Sequence, residues 1–141
     1  MRVVLNIIWL LFSGIWLFIC YLLAAILSFI FIITIPFGVA SLRIAFYALW
    51  PFGRTVVKKQ SAGAGSFIVN ILWFLLGGWY LTLMHIVTGV LLCLTVIGIP
   101  LGLGNFKMIK VSLMPFGHAI VSTKQAQAMP GADQVAIAAE A

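Results

Sequence analysis

Apolar residues run along this chain in stretches far longer than a soluble helix or strand uses. No residue carries a charge from Val3 to Leu42, and the pattern returns from Phe67 to Phe106. A spanning helix needs about 20 apolar residues to cross a hydrocarbon core of roughly 30 Å. Each stretch meets a proline after about 33 residues, which as one straight helix would measure roughly 50 Å and cross only when strongly tilted. The alternative is a hairpin of two short helices. Its turn would fall near Cys20–Ala25 in the first stretch and near His85–Gly89 in the second, where Thr82, His85, Thr88 and Gly89 offer a polar bend.

The breaks that follow have a physical reading. Proline donates no backbone hydrogen bond and disrupts the preceding turn, and glycine accepts turn geometry. Ile-Pro-x-Gly, with Pro36 and Gly38 and again with Pro100 and Gly102, therefore ends or bends a helix at headgroup depth. Beyond it, Leu42, Ala45, Phe46 and Leu49 recur at helical spacing with Arg43 to one side. This predicts an amphipathic helix lying in the interface, with Tyr47 and Trp50 as interfacial aromatics. Its counterpart, 104–113, carries Lys107 and Lys110 one turn apart on one face. The turns Pro51-Phe52-Gly53 and Pro115-Phe116-Gly117 then lead into the short β-branched stretches 54–57 and 118–121, which can pair as a two-stranded ribbon outside the membrane.

These parallels are an internal repeat. An offset of 64 residues, without a gap, aligns Asn6 with Asn70, Trp9 with Trp73, Gly14 with Gly78, Pro36 with Pro100 and Arg43 with Lys107. Bulk apolarity does not explain matched Asn, Trp, Pro and Gly. The predicted organisation is an all-α integral membrane protein with two tandem units, 1–60 and 67–123. A flexible Ser-Ala-Gly linker at 61–66 joins them, and a disordered tail follows at 124–141.

Composition agrees. Of 141 residues 65% are apolar and 7% charged, with a mean hydropathy of +1.26; soluble domains carry roughly 25% charged residues. Arg2 ahead of an apolar run has the look of a signal peptide, but the run outlasts such a core and no Ala-x-Ala site closes it, so the segment is expected to stay. Cys20 and Cys93 lie deep in apolar runs as packing residues, without metal-ligand spacing or a disulfide framework.

The two Ile-Pro-x-Gly breaks, the Pro-Phe-Gly turns and the segment "GGWYLTLMHIVTG" at 77–89 resemble the YccF-type inner membrane component family, over about 6–123. The resemblance implies residence in a bacterial inner membrane and no established activity.

Charge addresses orientation, because Lys and Arg near spans stay cytoplasmic. If each unit crosses an even number of times, Arg2, Arg43, Arg54, Lys58, Lys59, Lys107, Lys110 and Lys124 all share one face with both termini. Single crossings would divide them evenly, as in an inverted repeat. The even count is the favoured reading.

Chemistry is limited by an absence. The acidic residues, Asp133 and Glu140, both lie in the tail, so no carboxylate serves a proton relay, a cation ring or a metal within the membrane. No hydrolase triad or phosphate-cradling loop is present. The expectation is no enzyme, no metal and no cofactor. Nucleic acid is excluded as a partner, since a net charge of +6 is spread along the membrane surface without a reading domain. Asn6 and Asn70 read as helix N-caps near the interface, or as residues that bond across the repeat axis or line a conduit. His85 reads as part of an outer turn, or as an intramembrane pH-sensitive gate. Gly77-Gly78 and Gly98-x-x-x-Gly102 permit close helix contact. Arg43 and Lys107 fit anionic lipid headgroups, or in a closed homo-oligomer a basic ring of the kind anion pores use. Two functions follow: a small oligomeric channel or transporter that favours anions, or a non-conducting structural or partner-binding component. The pore reading wants a continuous polar stripe, and Ser13, Ser28, Thr34, Thr82, Thr88 and Thr95 are scattered.

Overall fold

A computed structural model describes residues 1–129. Its first helix, α1 (Arg2–Phe29), is followed by α2 (Ile35–Leu49) and strand β1 (Arg54–Lys58). The second half repeats the order with α3 (Ala64–Cys93), α4 (Ile99–Leu113) and β2 (His118–Ser122), and a short α5 (Thr123–Gln127) closes it. Three helical stretches, Arg2–Phe29, Ile32–Leu49 and Ala64–Cys93, are long and apolar enough to cross a membrane. The expected tail lies outside the described residues apart from its first few, which belong to α5.

Each half is a helical hairpin, but the turn is not where the polar residues pointed. α1 passes without interruption through Cys20–Ala25, and α3 passes through His85–Gly89. The chain reverses later, at 30–34 and 94–98. There the prolines enter the first turn of α2 and α4, a position whose N–H has no intrahelical partner to lose. Side-chain hydroxyls hold the turns: Thr34 Oγ1 donates to Ser28 O at 2.5 Å, and Gly98 N donates to Thr95 Oγ1 at 3.1 Å. Proline thus starts the returning helix and does not merely end the outgoing one.

The returning helix is also no interfacial amphipath. α2 packs along α1 and buries Ala40, Ser41, Ile44, Ala45, Tyr47 and Ala48, so Tyr47 is a core residue and not part of an aromatic belt. Gly38 sits inside α2, where its bare Cα admits the Phe29 ring; a methyl group there would lie 2.7 Å from Phe29 Cε1. Gly102 does the same for Cys93 and the Gly89 carbonyl. Close helix packing, not turn geometry, is what these glycines supply. The linker is shorter than predicted, since α3 begins at Ala64.

The long helices are amphipathic in an inverted sense. Asn6, Trp9, Ser13, Gly14, Leu17, Tyr21 and Ala25 recur every three or four positions on the buried face of α1, and Leu11, Phe12, Ile15, Trp16, Ile19 and Leu23 face outward. A polar inner stripe under an apolar coat is what a helix bundle in lipid requires, since the surroundings are as apolar as Leu. Both helices contain one π turn, at Leu10–Gly14 and Phe74–Gly78. In each half the Trp that precedes this turn lies over the glycine that ends it.

The ribbon forms as predicted. β1 and β2 pair antiparallel, with Val56 opposite Ile120. These two residues are themselves equivalent under the 64-residue offset, as are Tyr21 and His85, whose side chains meet in the core. A pseudo-two-fold axis therefore runs between both pairs, from the ribbon into the bundle. The hairpins cross about it. Phe37, near the start of α2, packs on Trp73 and Phe116 with centroids at 6.2 and 5.5 Å, while Gly104 of α4 packs on Trp9 and Phe52.

Candidate functional site

The matched asparagines lie within their helices and cap nothing. Asn6 Nδ2 donates to Phe52 O at 2.9 Å and its Oδ1 accepts from Phe52 N at 3.0 Å. Asn70 makes the same two bonds to Phe116, at the same distances. Each amide stands in for a strand partner at the Pro-Phe-Gly turn, within its own half. They neither bond across the axis nor line a conduit. Trp9 Nε1 donates to Ala48 O at 2.6 Å and Trp73 Nε1 to Ser112 O at 2.7 Å, so with the two amide bonds three bonds per half tie the long helix to the end of the returning one and the turn beyond it.

The basic pair makes the complementary link. Arg43 Nη2 donates to His118 O at 2.9 Å, and Lys107 Nζ donates to Arg54 O and, at 3.4 Å, to Pro51 O. His118 and Arg54 are equivalent positions, so each half's cation reaches the opposite half's strand. Both side chains are half-buried. Lys110 lies exposed on α4 beside them.

Where the halves meet, six buried polar side chains form one connected cluster: Ser13, Tyr21, Thr82, His85, Asn105 and Ser112. His85 is fully buried here and is no part of an outer turn. Its Nδ1 lies 3.1 Å from Asn105 Oδ1 and its Nε2 lies 2.9 Å from Tyr21 Oη. The amide's other end, Nδ2, donates to Ser13 Oγ at 3.1 Å and to Leu101 O at 3.4 Å. A backbone carbonyl only accepts, which fixes the amide's direction and makes Nδ1 the ring nitrogen that donates to Asn105 Oδ1. Tyr21 Oη bonds both Nε2 and, at 2.6 Å, Ser112 Oγ, and Ser112 Oγ accepts from Thr82 Oγ1 at 3.1 Å. The bonds run unbroken from Thr82 to Ser13, and every member of the cluster has a partner. Satisfied networks of this kind specify how buried surfaces meet, and three of the links join one half to the other.

The sequence pointed to Asn6, Asn70, His85, Arg43 and Lys107, and the fold divides them among separate posts. It missed Tyr21, Asn105 and Ser112. The available signal was asymmetry: at offset 64, Tyr21 faces His85, Ser41 faces Asn105 and Ala48 faces Ser112, so polarity is exchanged between halves and not repeated. Among the described residues no group of His, Cys, Asp or Glu is arranged to hold a metal, and both cysteines are free.

Outside the membrane helices, His118 lies in the ribbon with its pKa below the ordinary histidine value. Burial disfavours the charged ring, and the Lys110 and Lys58 charges push in the same direction.

A family model described as an inner membrane component domain, YccF, matches the chain twice, at residues 4–54 and 68–118. Inner membrane protein YccF of Escherichia coli (strain K12) is 36% identical over 137 residues, covering 91% of this chain and 93% of that protein. The Shigella flexneri protein of the same name matches to the same extent. No solved structure matches.

Proposed function

Since the chain belongs to the YccF inner membrane component family, and is an inner membrane protein, we propose that it acts as a non-conducting membrane component that presents one basic platform to the cytoplasm. The observation that carries this reading is the reciprocal tie of Arg43 and Lys107 to the ribbon carbonyls of the opposite halves. An anion pore would need those two charges free around an axis. Here they fasten the ribbon, and the polar stripe between the halves is consumed by its own bonds.

Orientation follows from the axis. Were it to lie in the membrane plane, the ribbon would sit at mid-depth with the exposed charges of Arg54 and Lys58 in hydrocarbon, at several kcal/mol each. With the axis along the membrane normal, the ribbon, both ends of the described chain and the linker share one face. Arg54, Lys58, Lys59, Lys110 and Lys124 are exposed there, where each gains on the order of 1 kcal/mol from anionic headgroups and is held on the cytoplasmic side.

The experiment is ion flux through purified protein in liposomes, with size measured in nanodiscs. The expected result is chloride and potassium leakage at the level of protein-free vesicles. A chloride-selective flux that falls in the Arg43→Gln, Lys107→Gln double variant would overturn this reading and establish the oligomeric pore.

A further inference from the structure

The two halves differ at one place that the ties and the polar cluster leave unused. Between α1, α2 and the first half of α3 lies an open cavity of about 470 Å³, within the size range of small-molecule sites. Leu23, Leu27, Phe31, Phe37, Trp73 and Leu81 give it an apolar lining, and no charged side chain borders it. Ser41 lines it too, is 1% exposed, and its Oγ has no hydrogen-bond partner. An unpaired buried hydroxyl costs roughly 1–3 kcal/mol, so such groups are rarely left alone.

The opposite half accounts for the polar end of the space. The equivalents of Ser41 and Gly77, both of which line the cavity, are Asn105 and Ser13. Those two fill the corresponding position and bond each other at 3.1 Å. Here the larger amide and the hydroxyl are replaced by a shorter hydroxyl and a hydrogen. Gly77 has φ +156°, a conformation side chains rarely adopt, so the opening is held by backbone and not by a movable rotamer.

We infer that this cavity is a binding site for a neutral, chain-like lipid whose single hydroxyl or carbonyl completes the hydrogen bonding of Ser41. The apolar lining takes the chain, the absence of charge disfavours an ionised headgroup, and Ser41 supplies the polar anchor. The inference does not depend on whether the protein conducts.

Photolabelling of the full chain in nanodiscs tests it. The probes are three sixteen-carbon chains with a mid-chain diazirine: an alcohol, a carboxylic acid and the plain hydrocarbon. The alcohol is expected to label peptides containing residues 20–41 and 73–81 in preference to the other two. Ser41→Ala keeps the space and should lower alcohol labelling about fivefold, the weight of one neutral hydrogen bond, with hydrocarbon labelling unchanged. Ser41→Asn should occupy the polar end of the cavity and lower labelling by the alcohol. Melting curves of both variants separate lost binding from lost folding. Labelling spread evenly over the lipid-facing helices, or alcohol labelling indifferent to both folded variants, would overturn the proposal.

Discussion

Asn6 and Asn70 show what a single polar residue does in an apolar helix. Each satisfies both the N–H and the C=O of a phenylalanine in a Pro-Phe-Gly turn. Alanine at either site leaves two backbone groups unpaired, at about 1–3 kcal/mol. Because the two sites are geometric twins, Asn6→Ala and Asn70→Ala should lower the unfolding midpoint in mixed micelles by similar amounts. A silent variant at one site would show that the turns are held otherwise. The sequence marked both asparagines by their place in the repeat but misread their partner, because Phe52 and Phe116 contribute backbone atoms that no side-chain pattern reveals. The Tyr21–His85 contact was hidden for a related reason: the two residues are equivalent but unlike, and their meeting depends on how the hairpins cross. Replacing Tyr21 by Phe removes the hydroxyl that bonds both His85 Nε2 and Ser112 Oγ. It should destabilise the junction by about 1–3 kcal/mol, read in the same micelle assay, whereas a neutral outcome would deny the cluster its role in joining the halves.

Among the elements, the long helices are legible from apolar run length, and the ribbon from its β-branched stretches. The hairpin turns were not. Polar residues at 82–88 imitate a bend, yet in a bundle they serve the interior, while the real reversals at 30–34 and 94–98 are nearly all apolar and announced only by the prolines beyond them. The π turn is equally invisible as periodicity, but Trp9 with Gly14 and Trp73 with Gly78 record it. A methyl group on Gly14 would lie 2.8 Å from Trp9 Cδ1 and 3.1 Å from Ala48 O, so Gly14→Ala must push the indole off its carbonyl. The expected cost is about 1–3 kcal/mol, visible as a lower midpoint and altered tryptophan emission; an unchanged spectrum and midpoint would contradict the packing.

The ribbon adds a pH dependence. The folded state holds the His118 pKa below its unfolded value of about 6.5, so the unfolded chain binds a proton more readily in that range. Stability is full above about pH 6.5 and declines as pH falls below it, levelling out beneath the folded pKa. His118→Gln should flatten that slope between pH 7 and 5, as measured by thermal unfolding; a slope that survives the substitution would assign it elsewhere.

On the scale of the whole molecule, two hairpins with similar sequences are held together by elements that cross between them: the paired strands, the two cations on opposite carbonyls, and a polar cluster with members from each half. The repeat was legible in the sequence because the within-half bonds are the same twice. The assembly of the halves was not, because it rests on the positions where the copies differ. With the pseudo-axis passing through the ribbon, all eight basic residues belong to the end of the molecule that the ribbon closes, which favours a single cytoplasmic platform. The most direct measurement is thiol accessibility at that ribbon. Cys20 and Cys93 are replaced by Ala, Lys58 is replaced by Cys, and an impermeant maleimide is applied to intact cells and to inverted membrane vesicles. The account predicts labelling in the vesicles and none in intact cells. Labelling in intact cells would put the ribbon on the outer face and contradict it.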